Sequence, residues 1–211
     1  MKLTLLLILI NVSVFILSLA NFEYFITNYG FNINNFLAGN YHTLITSLFL
    51  HGDFIHLLSN MVALLFLGRA AESSVKAWQY LLVYFLAGIF GNLLMFFPIF
   101  GYSKEVIAIG ASAAISGLIG LGIFVCPGRL VLFGSLIPMP FIVAGALYLV
   151  LTFSQLFVIS EIAYPAHLGG MFVGAMFGFV LGENIAKRLI LFILICLLII
   201  LLPYLIGFVL A

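Results

Sequence analysis

AIGASAAISGLIG, Ala108 to Gly120, sets the hydroxyl of Ser112 among residues with almost no side-chain bulk, at the mouth of an apolar run. Small neighbours let a second helix, or a substrate backbone, approach that oxygen. Two readings fit. Serine and glycine enrich helix–helix contacts in membranes, and a serine can bond its own carbonyl one turn back, which makes Ser112 a packing residue. A nucleophile instead needs a base and an oxyanion site elsewhere in the chain. The rest of the sequence holds candidates for both.

Composition fixes the surroundings. Of 211 residues, 66% are hydrophobic and 6% charged, against roughly 25% charged in soluble domains. The chain reads as an all-α integral membrane protein, and each polar residue inside a span needs a partner or a wet cavity. A net charge of +1 offers no basic surface for nucleic acid. Cys126 and Cys196 give neither a disulfide framework nor metal-ligand spacing and read as buried apolar fillers.

A helix needs about 20 apolar residues to cross the hydrocarbon, and the charges divide the chain accordingly. The first span runs from Leu3 to about Ala20. Its end, Ser18-Leu19-Ala20, also fits a signal-peptide cleavage site, but the reading here retains the helix. Residues 21–47 are too polar for a span and read as an ordered interfacial loop, with Tyr24, Tyr29 and Tyr41 suited to the headgroup zone. The second span runs from Asp53, an N-cap, to Gly68. The third lies between Lys76 and Lys104, capped by Ser73 or Ser74, with Pro98 near its end. The fourth occupies Gly110 to just before Pro127.

Pro138 and Pro140 break the next apolar stretch, so 131–138 reads as an apolar connector and the fifth span as Met139 to about Val158. The sixth covers Tyr164–Glu183, with Pro165 in its first turn, and the seventh Leu189–Val209. Lys2, Arg69, Lys76, Arg129, Lys187 and Arg188 then share one side of the membrane, with Lys104 alone opposite. The positive-inside rule makes the crowded side cytoplasmic, together with the N-terminus. Asp53, His56, Asn60, Ser112 and His167 fall toward the outer ends of spans two, four and six. A site opening outward is expected.

His167 stands near the start of span six, followed by Gly170, Gly174 and Gly178 at four-residue intervals. That stripe clears one face for close helix contact. Helix axes ordinarily lie 8–10 Å apart, so glycine makes a serine–histidine hydrogen bond of about 2.6–3.2 Å easier to reach. His56 and Asn60 lie four apart on one face of span two, and both can donate hydrogen bonds to a developing oxyanion. A metal reading is weaker, since asparagine is a poor ligand and no third histidine or carboxylate has suitable spacing. His51 is off that face and reads as shaping the loop–helix junction. Asp53 reads as a cap before a third triad member.

These residues carry a resemblance. H-G-D-F-I-H-L-L-S-N at 51–60, Gly68-Arg-Ala-Ala-Glu72, Gly110-Ala-Ser112 and Ala166-His167-Leu-Gly-Gly170, in this order and topology, resemble the rhomboid intramembrane serine proteases. The match covers roughly spans two to six. The resemblance implies a six-helix core in residues 1–186 and an extra C-terminal transmembrane helix in 187–211. It implies Ser112 as nucleophile and His167 as general base, without an aspartate. His56, Asn60 and the Ser112 backbone N–H would stabilise the oxyanion. No metal or organic cofactor is implied. The expected partners are transmembrane protein substrates and the lipid bilayer of the cell membrane.

Three departures stand out. Ala113 occupies the second glycine of the family's G-x-S-G, adding a methyl beside the nucleophile. Ser116 stands where an aromatic residue commonly packs on the histidine, so His167 is expected to lose that partner. Tyr41-His42 replaces a usual Trp-Arg pair, and no role is carried to either. Ala113 and Ser116 motivate the alternative of a weak or inactive rhomboid-like protein that binds membrane clients. A proton or ion transporter is a distant third reading, because the carboxylates fall at span ends or in loops and no inverted repeat is evident.

Overall fold

A computed structural model describes residues 2–96, 106–134, 137–154 and 164–210, with side chains placed through Leu197 and at Leu201. Pro98, Lys104, Glu105, Glu161 and the expected end of span five lie outside these residues.

The element order is α1 (Lys2–Ser18), α2 (Phe22–Tyr29), α3 (Ile33–Leu37), α4 (Thr43–Thr46), a 3-10 turn (Ser47–Phe49) and α5 (Phe54–Ala63). A π-helical turn, Leu64–Gly68, carries α5 into α6 (Arg69–Glu72). There follow α7 (Ala77–Leu94), α8 (Ser112–Val125), strands β1 (Leu130–Phe133) and β2 (Ile137–Pro140), α9 (Phe141–Ser154), α10 (Tyr164–Leu181) and α11 (Ile185–Leu210). Among the described residues, Phe54–Glu72, Ala77–Leu94 and Tyr164–Leu181 are long and apolar enough to cross a membrane. Lys2–Ser18, Ser112–Val125 and Phe141–Ser154 are shorter apolar helices. Helix α11 adds 26 residues beyond α10.

Helix α8 is the axis of the bundle, with every residue from Ala113 to Phe124 buried. Its composition explains why. Gly117, Gly120 and Gly122 leave no side chain to hold neighbours away. A Cβ on Gly174 of α10 would overlap the carbonyl of Gly117, one on Gly170 that of Ala113, and one on Gly178 would lie 2.7 Å from the Leu121 oxygen. The four-residue stripe of α10 thus rests directly on the α8 backbone, the close approach that glycine permits.

Polar groups tie the outer helices in. Glu72, buried at the end of α6, accepts the backbone N–H groups of Leu3 and Thr4 at 3.1 Å each, satisfying first-turn donors of α1. The Thr4 hydroxyl meets the Tyr80 hydroxyl at 2.9 Å.

Several local expectations change. The connector 131–138 is in fact an antiparallel hairpin, Leu130 pairing with Pro140 and Phe133 with Ile137. Pro140 falls in its outermost row and Pro138 in an inner one, opposite Leu132, on a two-stranded ladder in which each strand is an edge that tolerates proline. Span three is capped at Lys76, whose N–H donates to Gln79 Oε1 at 2.9 Å. Ser73 and Ser74 instead close the preceding helix by donating to the Ala70 carbonyl. Span two continues past Gly68 to Glu72 through the π-turn. Cys126 and Cys196 are free and only half-buried. The interfacial loop holds three short helices, with Tyr24 and Tyr41 exposed on it.

Candidate active site

Ser112 is the first residue of α8, and the chain reaches it through a tightly fixed segment. Ala108 and Phe31 exchange backbone hydrogen bonds of 2.7 and 3.1 Å, and the Gly110 N–H donates to the Ser47 carbonyl at 2.9 Å. Gly110 has φ +115°, a left-handed conformation that glycine adopts without steric cost. It is also pressed on the next helix: a Cβ there would lie 2.7 Å from His56 Nε2 and 3.6 Å from Asn60 Nδ2. The turn before the serine is therefore packed on the two candidate donors of α5. As the first residue of its helix, Ser112 has a backbone N–H with no partner inside it.

His167, the fourth residue of α10, places Nε2 at 2.8 Å from Ser112 Oγ. The serine O–H donates to that nitrogen when the imidazole carries its proton on Nδ1. Both residues lie at helix N-termini, where the backbone dipoles favour a developing negative charge.

His56 and Asn60 share the face of α5 that looks on this pair. Asp53 caps α5, its Oδ1 accepting the His56 N–H at 2.8 Å, and bonds to neither Ser112 nor His167 among the described residues. The Gly52 N–H donates to His56 Nδ1 at 3.4 Å, which leaves the ring proton on Nε2, toward Gly110 and the cavity. Asn60 is buried, and its Nδ2 has no hydrogen-bond partner among the described residues. An unmade buried donor costs about 1–3 kcal/mol. Such a cost is characteristic of a site built to receive an acceptor.

Behind His56 lies His51, fully buried, with ring centroids 5.0 Å apart and planes at 68°. Burial holds the His51 imidazole down to about 4, with the neighbouring His56 adding to the effect. From the loop before α5, its ring packs edge-on against that of His56.

Ser112, His167, His56 and Asn60 open into one cavity of about 1060 Å³, larger than most drug-sized pockets. It is entered past Gly52, Asp53 and the 106–110 segment. It continues along the α5 face through Ser59 and Ala63 to Leu67, with Phe133 of the hairpin at its far end.

The two departures beside Ser112 resolve structurally. The Ala113 methyl turns toward α7, where a Cβ on Gly91 would lie 2.9 Å from it. Glycine on α7 thus takes up the bulk that alanine adds to α8. Nor does His167 lack an aromatic neighbour. Tyr148 of α9 lies with its ring centroid 6.3 Å away at 33°, and Tyr164 sits edge-on at 5.8 Å and 78°. The sequence reading missed Tyr148. Its signal was a lone tyrosine midway along an apolar span, facing the serine that had replaced an aromatic.

Fold and site define a helical membrane protein with a serine–histidine pair at the head of an open cavity. The rhomboid domain model matches residues 38–184. RHOMBOID-like protein 12, mitochondrial, of Arabidopsis thaliana is 30% identical over 190 residues, 81% of this chain and 55% of the plant protein. YdcA of Bacillus subtilis (strain 168) is 30% identical over 163 residues, 77% of each chain. Rhomboid protease GluP of the same organism is 30% identical over 167 residues, 77% of this chain and 31% of GluP. The chain therefore spans about half the length of the plant relative. It belongs to the rhomboid family.

Proposed function

We propose that this protein is an intramembrane serine endopeptidase that hydrolyses peptide bonds in or near the transmembrane segments of other membrane proteins. The observation that carries the reading is the 2.8 Å contact of His167 Nε2 with Ser112 Oγ, beside the Asn60 Nδ2 that has no partner among the described residues. Ser112 Oγ attacks the scissile carbonyl carbon while His167 takes its proton. The oxyanion forms where the Ser112 N–H, His56 Nε2–H and Asn60 Nδ2 converge, and these donors lower the barrier most. Collapse breaks the C–N bond, with the His167 proton passing to the leaving amine. Water, deprotonated by the same imidazole, then hydrolyses the acyl-serine ester and restores the enzyme.

The cavity suits such a substrate. Its polar lining gathers at the dyad, in His56, Asn60, Ser112 and His167, and from Asp53 along α5 and the π-turn to Leu67 it runs about 20 Å at 1.5 Å per residue. An extended or unwound segment fits there, whereas a closed helix would keep its peptide bonds shielded. The charge distribution supports a cytoplasmic N-terminus and a site opening outward in the cell membrane. We propose further that residues 1–186 form the six-span core and 187–211 an appended helix.

The reading is tested by reconstituting the protein in liposomes with a single-span reporter and following cleavage by gel and mass spectrometry. Cleavage that disappears in Ser112→Ala and in His167→Ala supports it. Cleavage persisting in Ser112→Ala excludes the assignment.

A further inference from the structure

Tyr148 reaches both members of the dyad from a helix that carries neither. Ser116 Oγ donates its single proton to the Ser112 carbonyl at 2.7 Å. Its contact of 2.5 Å with the Tyr148 hydroxyl therefore runs the other way, with the phenol donating and the serine accepting. The chain Tyr148 O–H to Ser116 O–H to Ser112 C=O ends on the backbone of the candidate nucleophile. Its ring, meanwhile, flanks the His167 imidazole within the 4.5–7 Å range of favourable aromatic pairs.

We infer that Tyr148 is a positioning residue, clamping Ser112 through Ser116 and His167 through its ring, so that the dyad keeps its register only while α9 is seated on α8. The inference rests on the dyad reading above. Physically, an imidazole on α10 can rotate about two side-chain bonds, and the Ser112 contact alone fixes one edge of it. The Tyr148 ring limits the other freedom from one face, with Tyr164 at the edge. Ser116 explains why this ring comes from α9. A residue of this size on α8 leaves room for a tyrosine from across the interface, and its hydroxyl gives the phenol an acceptor in an otherwise apolar helix. Bonds of this kind polarise one another, so the two links hold better than either alone.

Helix α9 joins α8 elsewhere through apolar contacts, with Gly145 facing Ile123 and Gly122 facing Phe141. Its outer face, Val143, Leu147 and Leu151, is exposed. A shift of α9 away from α8 thus removes the ring from His167 and the donor from Ser116 in the same movement. The catalytic register becomes a readout of where α9 sits.

The test is the saturation kinetics of labelling by a fluorophosphonate probe on the detergent-purified protein. Tyr148→Leu is expected to lower the maximal labelling rate about 3- to 10-fold, the size of an aromatic pair, with the half-saturating concentration unchanged. Tyr148→Phe keeps the ring and loses only the tether, so it should label faster than the leucine variant and no slower than Ser116→Ala, which also loses the bond to the Ser112 carbonyl. Combining Tyr148→Phe with Ser116→Ala should cost no more than Ser116→Ala alone, since the serine variant already cuts the link to Tyr148. The inference is overturned by a Tyr148→Leu protein that labels at the wild-type rate or changes only in half-saturation. Additive losses in the double variant overturn it equally, and that comparison stands even where the leucine variant fails to fold. Wild-type protein that does not label at all counts against the dyad reading itself, an outcome separate from these.

Discussion

Gly174 of α10 lies against the carbonyl of Gly117 of α8, so closely that a methyl on Gly174 would overlap it, while one on Gly117 would overlap the Ala87 methyl of α7. This contact sets the distance between the helices that carry Ser112 and His167. Gly170 and Gly178 repeat it one turn above and below. The 2.8 Å serine–histidine contact depends on that packing as much as on the two side chains.

Gly174→Val is therefore expected to destabilise the protein by about 3 kcal/mol or more, because the branched side chain meets backbone that cannot retreat. Thermal unfolding in detergent checks the stability, and probe labelling checks the site. Gly128, which has nothing near its absent Cβ and no left-handed backbone, is the matching control for glycine loss. An unchanged midpoint for Gly174→Val contradicts the packing account.

Asn60→Ala removes an Nδ2 that has no partner among the described residues, without touching the Ser112–His167 contact. Peptide cleavage should fall about 100-fold, the usual effect of losing one oxyanion donor. A loss confined to KM, with kcat intact, would make Asn60 a substrate-binding residue instead. The same measurement on His56→Ala reports the second donor.

His51 gives a pH dependence of stability. In the unfolded chain its imidazole takes up a proton near pH 6.5, whereas burial holds the folded value down to about 4. Between those values the unfolded state binds the extra proton. The contribution of His51 is therefore complete above about pH 6.5 and is lost as pH falls toward 4, by at most about 1.4 kcal/mol per pH unit. Thermal midpoints from pH 7 to pH 4.5 should drop more steeply for wild type than for His51→Gln. Parallel curves would show that His51 does not titrate across this window.

Much of this arrangement was legible before any coordinates. Ser112, His167, His56 and Asn60 stood out because charge and polarity are rare in so apolar a chain, and each needed a reason to be there. The glycine spacing of α10 announced its contact face. Asp53 announced the start of α5. What escaped depended on pairing across long sequence separations. The hairpin at 130–140 carries a proline-broken apolar sequence that periodicity cannot distinguish from a connector. The Glu72 bonds to Leu3 and Thr4 link the two ends of a 68- and 69-residue separation. Tyr148 escaped for a further reason. Its partner Ser116 was read as an aromatic lost, whereas the ring had moved to a facing helix.

The central claim is that Ser112 is an activated nucleophile. Its most direct test is labelling of the purified protein with a fluorophosphonate probe, followed by peptide mapping, with Ser112→Ala and His167→Ala in parallel. The account predicts a single adduct on Ser112 that requires His167. A folded wild-type protein that stays unlabelled, while an active relative labels beside it, would contradict the claim and favour a rhomboid-like protein that binds membrane clients without cutting them.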